Sequence, residues 1–220
     1  MRGNGPERLA DLVRAKGIHD QRLLRAIATV PRAGFVPQRY SGLAYDDEPI
    51  PIGHEQVTTQ PSLVAAMLEA LALDGDERAL EVGTGHGFQT ALLARLTRRV
   101  LSIERLADLA TAARRSLQSH RIRNVVVVVG DGTLGFPEEA PFDAIVVSAA
   151  FTSVPEPLVM QLRDGGRLVQ PIGRGGAEEV TLFELHGGEL ERRTSVISAH
   201  FVKLYGDYGF RPEDPPQITT

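Results

Sequence analysis

From residue 61 onward the sequence alternates short, continuous apolar runs with amphipathic helical stretches, and that alternation restricts the fold more than any other feature. The runs cover 79–82, 100–103, 125–129 and 144–147, and the helical stretches cover about 88–97, 106–119 and 155–163. A strand apolar at every position is buried on both faces, which requires a parallel sheet covered by crossover helices. Ahead of the first run, Pro61 suits a first helical position, with Leu63, Val64, Met67, Leu68 and Leu71 following at helical spacing. After Gly165 and Gly166, the segments 167–172, 180–185 and 195–204 read as strands joined by short turns such as Gly187-Gly188. The expected fold is therefore α/β: a doubly wound, Rossmann-like sheet with antiparallel strands at its C-terminal end.

The N-terminal part is expected to be helical and to pack on the main domain. Two short helices are read over about 6–16 and 20–29, with Asp20 as the N-cap of the second and Pro31 closing it. The stretch 31–61 holds five prolines and little periodicity, and is read as an ordered loop carrying side chains to a site. This gives residues 1–60 as helices and a substrate-side loop, 61–206 as the binding domain and 207–220 as a loosely held C-terminal arm.

Bulk properties narrow the function. The 220 residues carry a formal net charge of −4, without the basic excess of a general nucleic-acid binder. There is no cysteine, so disulfides, thiolate zinc sites and a cysteine nucleophile are excluded. His54, His86 and His200 lack ligand spacing, and no metal is expected. The opening residues have no apolar signal core, and no run approaches the roughly 20 apolar residues needed to cross a bilayer. A cytoplasmic monomer without membrane or nucleic-acid partners is the expectation.

The segment ALEVGTGHGF at 79–88 sets Gly83, Gly85 and Gly87 between a buried strand and a helix. Such a turn lets a ligand approach the backbone closely. Its GxGxG spacing differs from the GxGxxG of dinucleotide folds, which cradle a pyrophosphate at the helix N-terminus. S-adenosylmethionine has no phosphate and fits better. Three acids reinforce the reading, each at or near a strand end, where open α/β sheets bind ligands. Glu81 is expected to reach the methionine moiety, directly or through water. Glu104, 21 residues beyond Gly83, is expected to accept from the ribose hydroxyls, and Asp131, between Gly130 and Gly132, from the adenine amino group. Thr84, Arg105 and Gly132 complete the expected cofactor set. Each feature alone is common; their joint occurrence is specific.

The sequence also resembles the protein-L-isoaspartate O-methyltransferase family. The likeness runs through about 6–173 and continues weakly to about 206. It is carried by GIHD (17–20), VPRAGFVP (30–37), AYDDEPIPIG (44–53), Gln60-Pro61, LEVGTGHGFQ (80–89), GDG (130–132), FDAIVVSAA (142–150) and GGRLVQPIG (165–173). The resemblance implies methyl transfer from S-adenosylmethionine to the free carboxyl of L-isoaspartyl residues, with D-aspartyl residues as an extension, in damaged proteins or peptides. The ester then collapses to a succinimide, part of which reopens as normal aspartate. It further implies that Thr59, in QVTTQP (56–61), stands where the family has a serine beside the transferring methyl. Thr58, His200 and Val202 are implied on the substrate side.

Departures from the family pattern cluster on that side. Glu55 replaces a small glycine, Val57 a threonine, Thr59 the serine, His200 an arginine and Lys203 a proline, while His86 replaces a small polar residue in the glycine turn. The alternative reading is therefore a carboxyl methyltransferase acting on a specific peptide or small-molecule acid. A third is a binding module that retains the cofactor but not catalysis.

Overall fold

A computed structural model describes residues 5–211. Its seven-stranded sheet is built from β3 (Arg78–Val82), β4 (Arg99–Glu104), β5 (Val125–Val129), β6 (Phe142–Val147), β7 (Leu162–Ile172), β8 (Glu178–His186) and β9 (Glu189–Ala199). The strand order is β5-β4-β3-β6-β7-β8-β9, parallel through β7 and antiparallel thereafter. The order reverses between β3 and β6, the point at which open α/β sheets bind ligands.

Strand alternation sorts side chains into two cores. Ala144 and Val146 face one with the N-terminal helices; Ile145 and Val147 face the other. The first core receives α1 (Gly5–Ala15), α2 (Gln21–Thr29), α3 (Pro61–Ala70) and α4 (Phe88–Leu96), and the buried side of α5 (Ala107–Ser119). Asp20 caps α2 as expected, accepting from the backbone of Arg22 and Leu23. The second face is covered by α6 (Glu156–Met160) and short 3₁₀ turns at Gly132–Leu134 and Pro137–Glu139.

Four expectations change. The 31–61 stretch is not a plain loop: it forms 3₁₀ helices at Arg32–Phe35 and Gln38–Leu43, then a hairpin of β1 (Ile50–Gly53) and β2 (Gln56–Thr58). The helix placed at 155–163 is α6 alone, because Leu162 already pairs with Phe142 and draws the chain into β7. The last strand lies earlier than 195–204. Gly187 and Gly188 both have positive φ, so their two-residue turn makes His186 pair with Glu189 at once. Residues 189–194 were hidden from an apolar reading by their charges, which suit an edge strand. The chain then leaves the sheet after Ala199, where the backbone N–H of Phe201 donates to Glu178.

The segment 207–211 is not a loose arm. The N–H of Asp207 donates to Asp131 and that of Tyr208 to Thr133. Residues 212–220 of the expected arm, with its three prolines, lie outside the described residues.

Candidate active site

A cleft of about 890 Å³, counted out to open solvent, lies at the C-terminal ends of β3, β4 and β6. Its floor is the glycine turn from Gly83 to Gly87. Gly83, Gly85 and Gly87 all have positive φ, at 95°, 55° and 91°. At Gly85 a Cβ would also stand 3.2 Å from Ile52 of the hairpin, so a side chain there would narrow the cleft. Gly132 lines the cleft and lies so close to Val82 that a Cβ would collide with it.

Glu104 stands at the C-terminal end of β4, where the sequence places it. It is nearly buried, lines the cleft, and accepts from the N–H of Gly85 at 2.9 Å and of Leu106 at 3.0 Å. Each carboxylate oxygen keeps a lone pair for a hydroxyl. Arg105 also lines the cleft, its guanidinium 5.2 Å from the ring centroid of Tyr205.

Glu81 does not reach the cleft. It lies beneath the floor, fully buried, its carboxylate turned toward α4. There it accepts from Thr90 Oγ1 at 2.5 Å, Ser102 Oγ at 2.6 Å and Gln89 Nε2 at 3.0 Å. Burial pushes its carboxyl up to about 7, against the pull of the Ser102, Thr90 and Gln89 hydrogen bonds. Thr84 lines the cleft, but its hydroxyl pairs with Ser102 at 2.5 Å and so props the same network. The side chain that carries Glu81's influence upward is Gln89. Its Nε2 also donates to Ser148 at 2.8 Å, while its Oε1 is buried with no hydrogen-bond partner among the described residues. An acceptor left so at a cleft wall fits a ligand ammonium. With the spare lone pairs of Glu104, it makes the residues present a match for the amino-acid and ribose ends of S-adenosylmethionine.

Asp131, expected at the adenine, lies outside the cleft lining. One carboxylate oxygen accepts from the N–H and the hydroxyl of Thr133, the other from the N–H of Asp207. It caps a 3₁₀ turn and holds the 206–210 loop, whose neighbour Tyr205 lines the cleft.

On the acceptor side, Val57, Thr58 and Thr59 line the cleft together with Val202. Thr58 Oγ1 accepts from Arg32 Nη2 at 2.9 Å and from the N–H of Ile50 at 3.2 Å. The hydroxyl of Thr59 has no partner among the described residues and remains free to meet a ligand. Glu55 sits exposed at the hairpin tip, outside the cleft lining, so its carboxylate does not oppose an acidic ligand there. His200 is likewise exposed and outside the lining, because the chain has just left β9; Lys203, Leu204 and Tyr205 are the residues of that segment that line the cleft with Val202. His86 lines the mouth, and burial lowers its imidazole from the ordinary value while Asp108 pulls the other way.

Sequence reasoning missed Arg32. Fully buried, it donates to the carbonyls of Ala44, Asp46 and Glu48 as well as to Thr58, tying the 44–48 loop to β2. Burial lowers its guanidinium to about 10, against the raising effect of Asp47 and Asp46, so it stays charged at neutral pH. The available signal was an arginine inside VPRAGFVP, between prolines and in a stretch otherwise poor in charge. Gln89 and Ser148 were also missed, since neither residue type stands out in a helix or at a strand end.

Comparison with known proteins identifies the family and the fold. A protein-L-isoaspartate O-methyltransferase of Syntrophobacter fumaroxidans is 47% identical over 196 residues, 89% of this chain and 91% of the relative. A solved protein-L-isoaspartate O-methyltransferase superposes with a TM-score of 0.80 at 29% identity, covering 93% of this chain and 67% of that one. A Plasmodium falciparum structure in complex with S-adenosyl-L-homocysteine shares the fold, with a TM-score of 0.77 at 23% identity over 92% of this chain and 99% of that one. The family model described as Protein-L-isoaspartate(D-aspartate) O-methyltransferase matches residues 4–208, and the chain belongs to that family.

Proposed function

We propose that the protein transfers a methyl group from S-adenosylmethionine to the carboxylate of L-isoaspartyl residues in damaged proteins or peptides, for their repair. The observation that carries this reading is one cleft that joins the glycine turn and Glu104 to Thr58 and Thr59 at the end of β2. Glu104 receives the ribose hydroxyls, Gln89 Oε1 the amino group, and the glycine turn the methionine backbone. Arg105 and Tyr205 form the wall beside them. Bound there, S-adenosylmethionine supplies an electrophilic methyl on a positively charged sulfur.

The acceptor needs little chemical help. A carboxylate is ionised at neutral pH, so no general base is required. Catalysis then rests on holding the oxygen in line with the methyl and on excluding water. Thr59 is the positioning donor: its unpaired hydroxyl bonds one acceptor oxygen and leaves the other to attack. Arg32 serves through Thr58, fixing the end of the strand that Thr59 directly follows. Val57 and Val202 supply apolar walls.

The test is methyl transfer to three peptides that differ only at one residue: L-isoaspartate, D-aspartate or normal L-aspartate. Base-labile methyl ester, read as methanol, is expected with the first, to a smaller extent with the second, and not with the third. Equal labelling of all three, or none despite measurable donor binding, would overturn the reading in favour of another acid acceptor.

The proposal includes a cytoplasmic monomer. Among the described residues no helix is long and apolar enough to cross a membrane. Both sheet edges discourage pairing with a second copy: Arg114 occupies the Val127 carbonyl on β5, and β9 carries Glu189, Glu191, Arg192 and Arg193. Light scattering of the eluting protein reports the mass directly.

A further inference from the structure

The cleft holds one cation that the reaction as described leaves unused. Lys203 lies in the segment beyond β9, where its backbone pairs with Ala150 just after β6, and it lines the same cleft as Val202 and Thr59. No carboxylate among the described residues pairs with it. Its ammonium instead sits 4.9 Å from the ring centroid of Phe210, which packs edge-on against Phe151 at 5.0 Å. An aromatic face gives a cation a fixed seat without cancelling its charge. Arg105, the other permanent cation of the lining, stacks on Tyr205 next to Glu104 at the ribose end. Lys203 is thus a half-buried residue of the cleft lining whose ammonium is seated on an aromatic ring, without a carboxylate partner among the described residues.

We propose that Lys203 is a specificity residue that receives a second carboxylate of the acceptor chain, so that isoaspartyl sites with an aspartate or glutamate a few residues away are preferred. The inference rests on the carboxyl-methyltransferase reading and names the substrate class within it. A methyl-accepting carboxylate already brings one negative charge into a partly desolvated cleft that contains Glu104. A second acid nearby would be repelled unless a cation offsets it. Lys203 is the residue placed to do so.

Two isoaspartyl peptides, identical except for Glu or Gln two residues after the isoaspartate, provide the test. Wild type is expected to favour the Glu peptide about fivefold in kcat/KM, the size of a partly screened ion pair. The preference should lie in KM and shrink as salt rises. Lys203→Met, which keeps the apolar stem, should bring the ratio to about one, and Lys203→Arg should restore it. A merely structural lysine would alter both peptides equally and leave the ratio intact, which would overturn the proposal, as would a ratio near one in wild type. Turnover of neither peptide would overturn the carboxyl reading and this proposal with it, whereas turnover of both without discrimination overturns the proposal alone.

Discussion

The imidazole Nε2 of His54 lies 2.5 Å from Oδ2 of Asp108, tying the tip of the β1–β2 hairpin to the first turn of α5 across the mouth of the cleft. The pair steadies the hairpin that carries Val57, Thr58 and Thr59. Both partners are about half exposed, so the contact is screened and adds little to global stability. His54→Ala should leave the melting temperature nearly unchanged, speed amide exchange through 53–57, and raise KM several-fold. Exchange as slow as in wild type would show that the strand pairing alone holds the hairpin.

The same tip carries backbone strain. His54 and Glu55 have φ of 51° and 57°, a region that costs an L side chain about 1 kcal/mol or more. Glu55 makes no hydrogen bond or ion pair among the described residues that would repay this. Glu55→Gly should therefore stabilise the fold by about 0.5–1 kcal/mol in denaturant titration. Because Glu55 stands outside the cleft, the preference for acidic peptides should not rise with it. A gain in that preference would mean that the carboxylate does reach the acceptor.

How far the sequence reveals this site depends on what each residue touches. The places of the glycine turn and Glu104 were legible because they follow from backbone position: a positive-φ turn after a buried strand, and an acid at the next strand end. The direction of Glu81 was not. In a strand buried on both faces, alternation decides which core a side chain enters, and both cores look alike in an unbroken apolar run. The 189–199 strand failed for a related reason: an edge strand covered in charge has no hydrophobic period, so it was placed too late, at 195–204. His200 was set on the substrate side by the resemblance alone, and the chain has already left β9 there. Arg32 and Gln89 act through hydrogen bonds to groups distant in sequence, which no local pattern encodes.

Glu81 makes stability depend on pH in a direction opposite to most carboxylates. Its carboxyl is pushed up to about 7 by burial, from an ordinary value of 4.5. Between those values the folded chain binds the extra proton. The stability this group contributes is full below the ordinary value and is lost as pH rises through 7. Glu81→Gln abolishes that titration. The melting-temperature gap between wild type and variant should shift in the variant's favour from about pH 5 to about pH 8.5, on the order of 1 kcal/mol for each unit of pKa displacement. A gap that does not change with pH would mean that Glu81 stays ionised in the fold.

Arg32→Lys keeps the charge and loses the fork. A single ammonium cannot span the carbonyls of Ala44, Asp46 and Glu48 and the Thr58 hydroxyl together. Stranding several buried acceptors should cost about 2–4 kcal/mol of stability. The 44–48 loop and β2 should loosen, and acceptor KM should rise more than donor affinity falls. An equal loss for donor and acceptor would place the effect in the whole domain rather than in the hairpin.

Asp131 separates two accounts of the same acid. If its carboxylate receives the adenine amino group, Asp131→Asn should weaken donor binding and leave the chain's dynamics alone. The geometry favours a different outcome. Oδ1 accepts from the N–H and hydroxyl of Thr133, and Oδ2 from the N–H of Asp207 at 2.7 Å. An asparagine can keep the first oxygen's bonds, but its NH₂ would then face the Asp207 N–H, donor against donor. The 206–210 loop should detach, and with it Tyr205, whose ring lies 5.2 Å from the Arg105 guanidinium at the cleft wall. Amide exchange in 205–210 should rise before any ligand is added, and donor affinity should fall roughly tenfold, as expected when one hydrogen bond to a charged group is lost. Adding donor should slow that exchange again, because binding rebuilds the wall. Weakened binding with unchanged exchange would return Asp131 to the adenine.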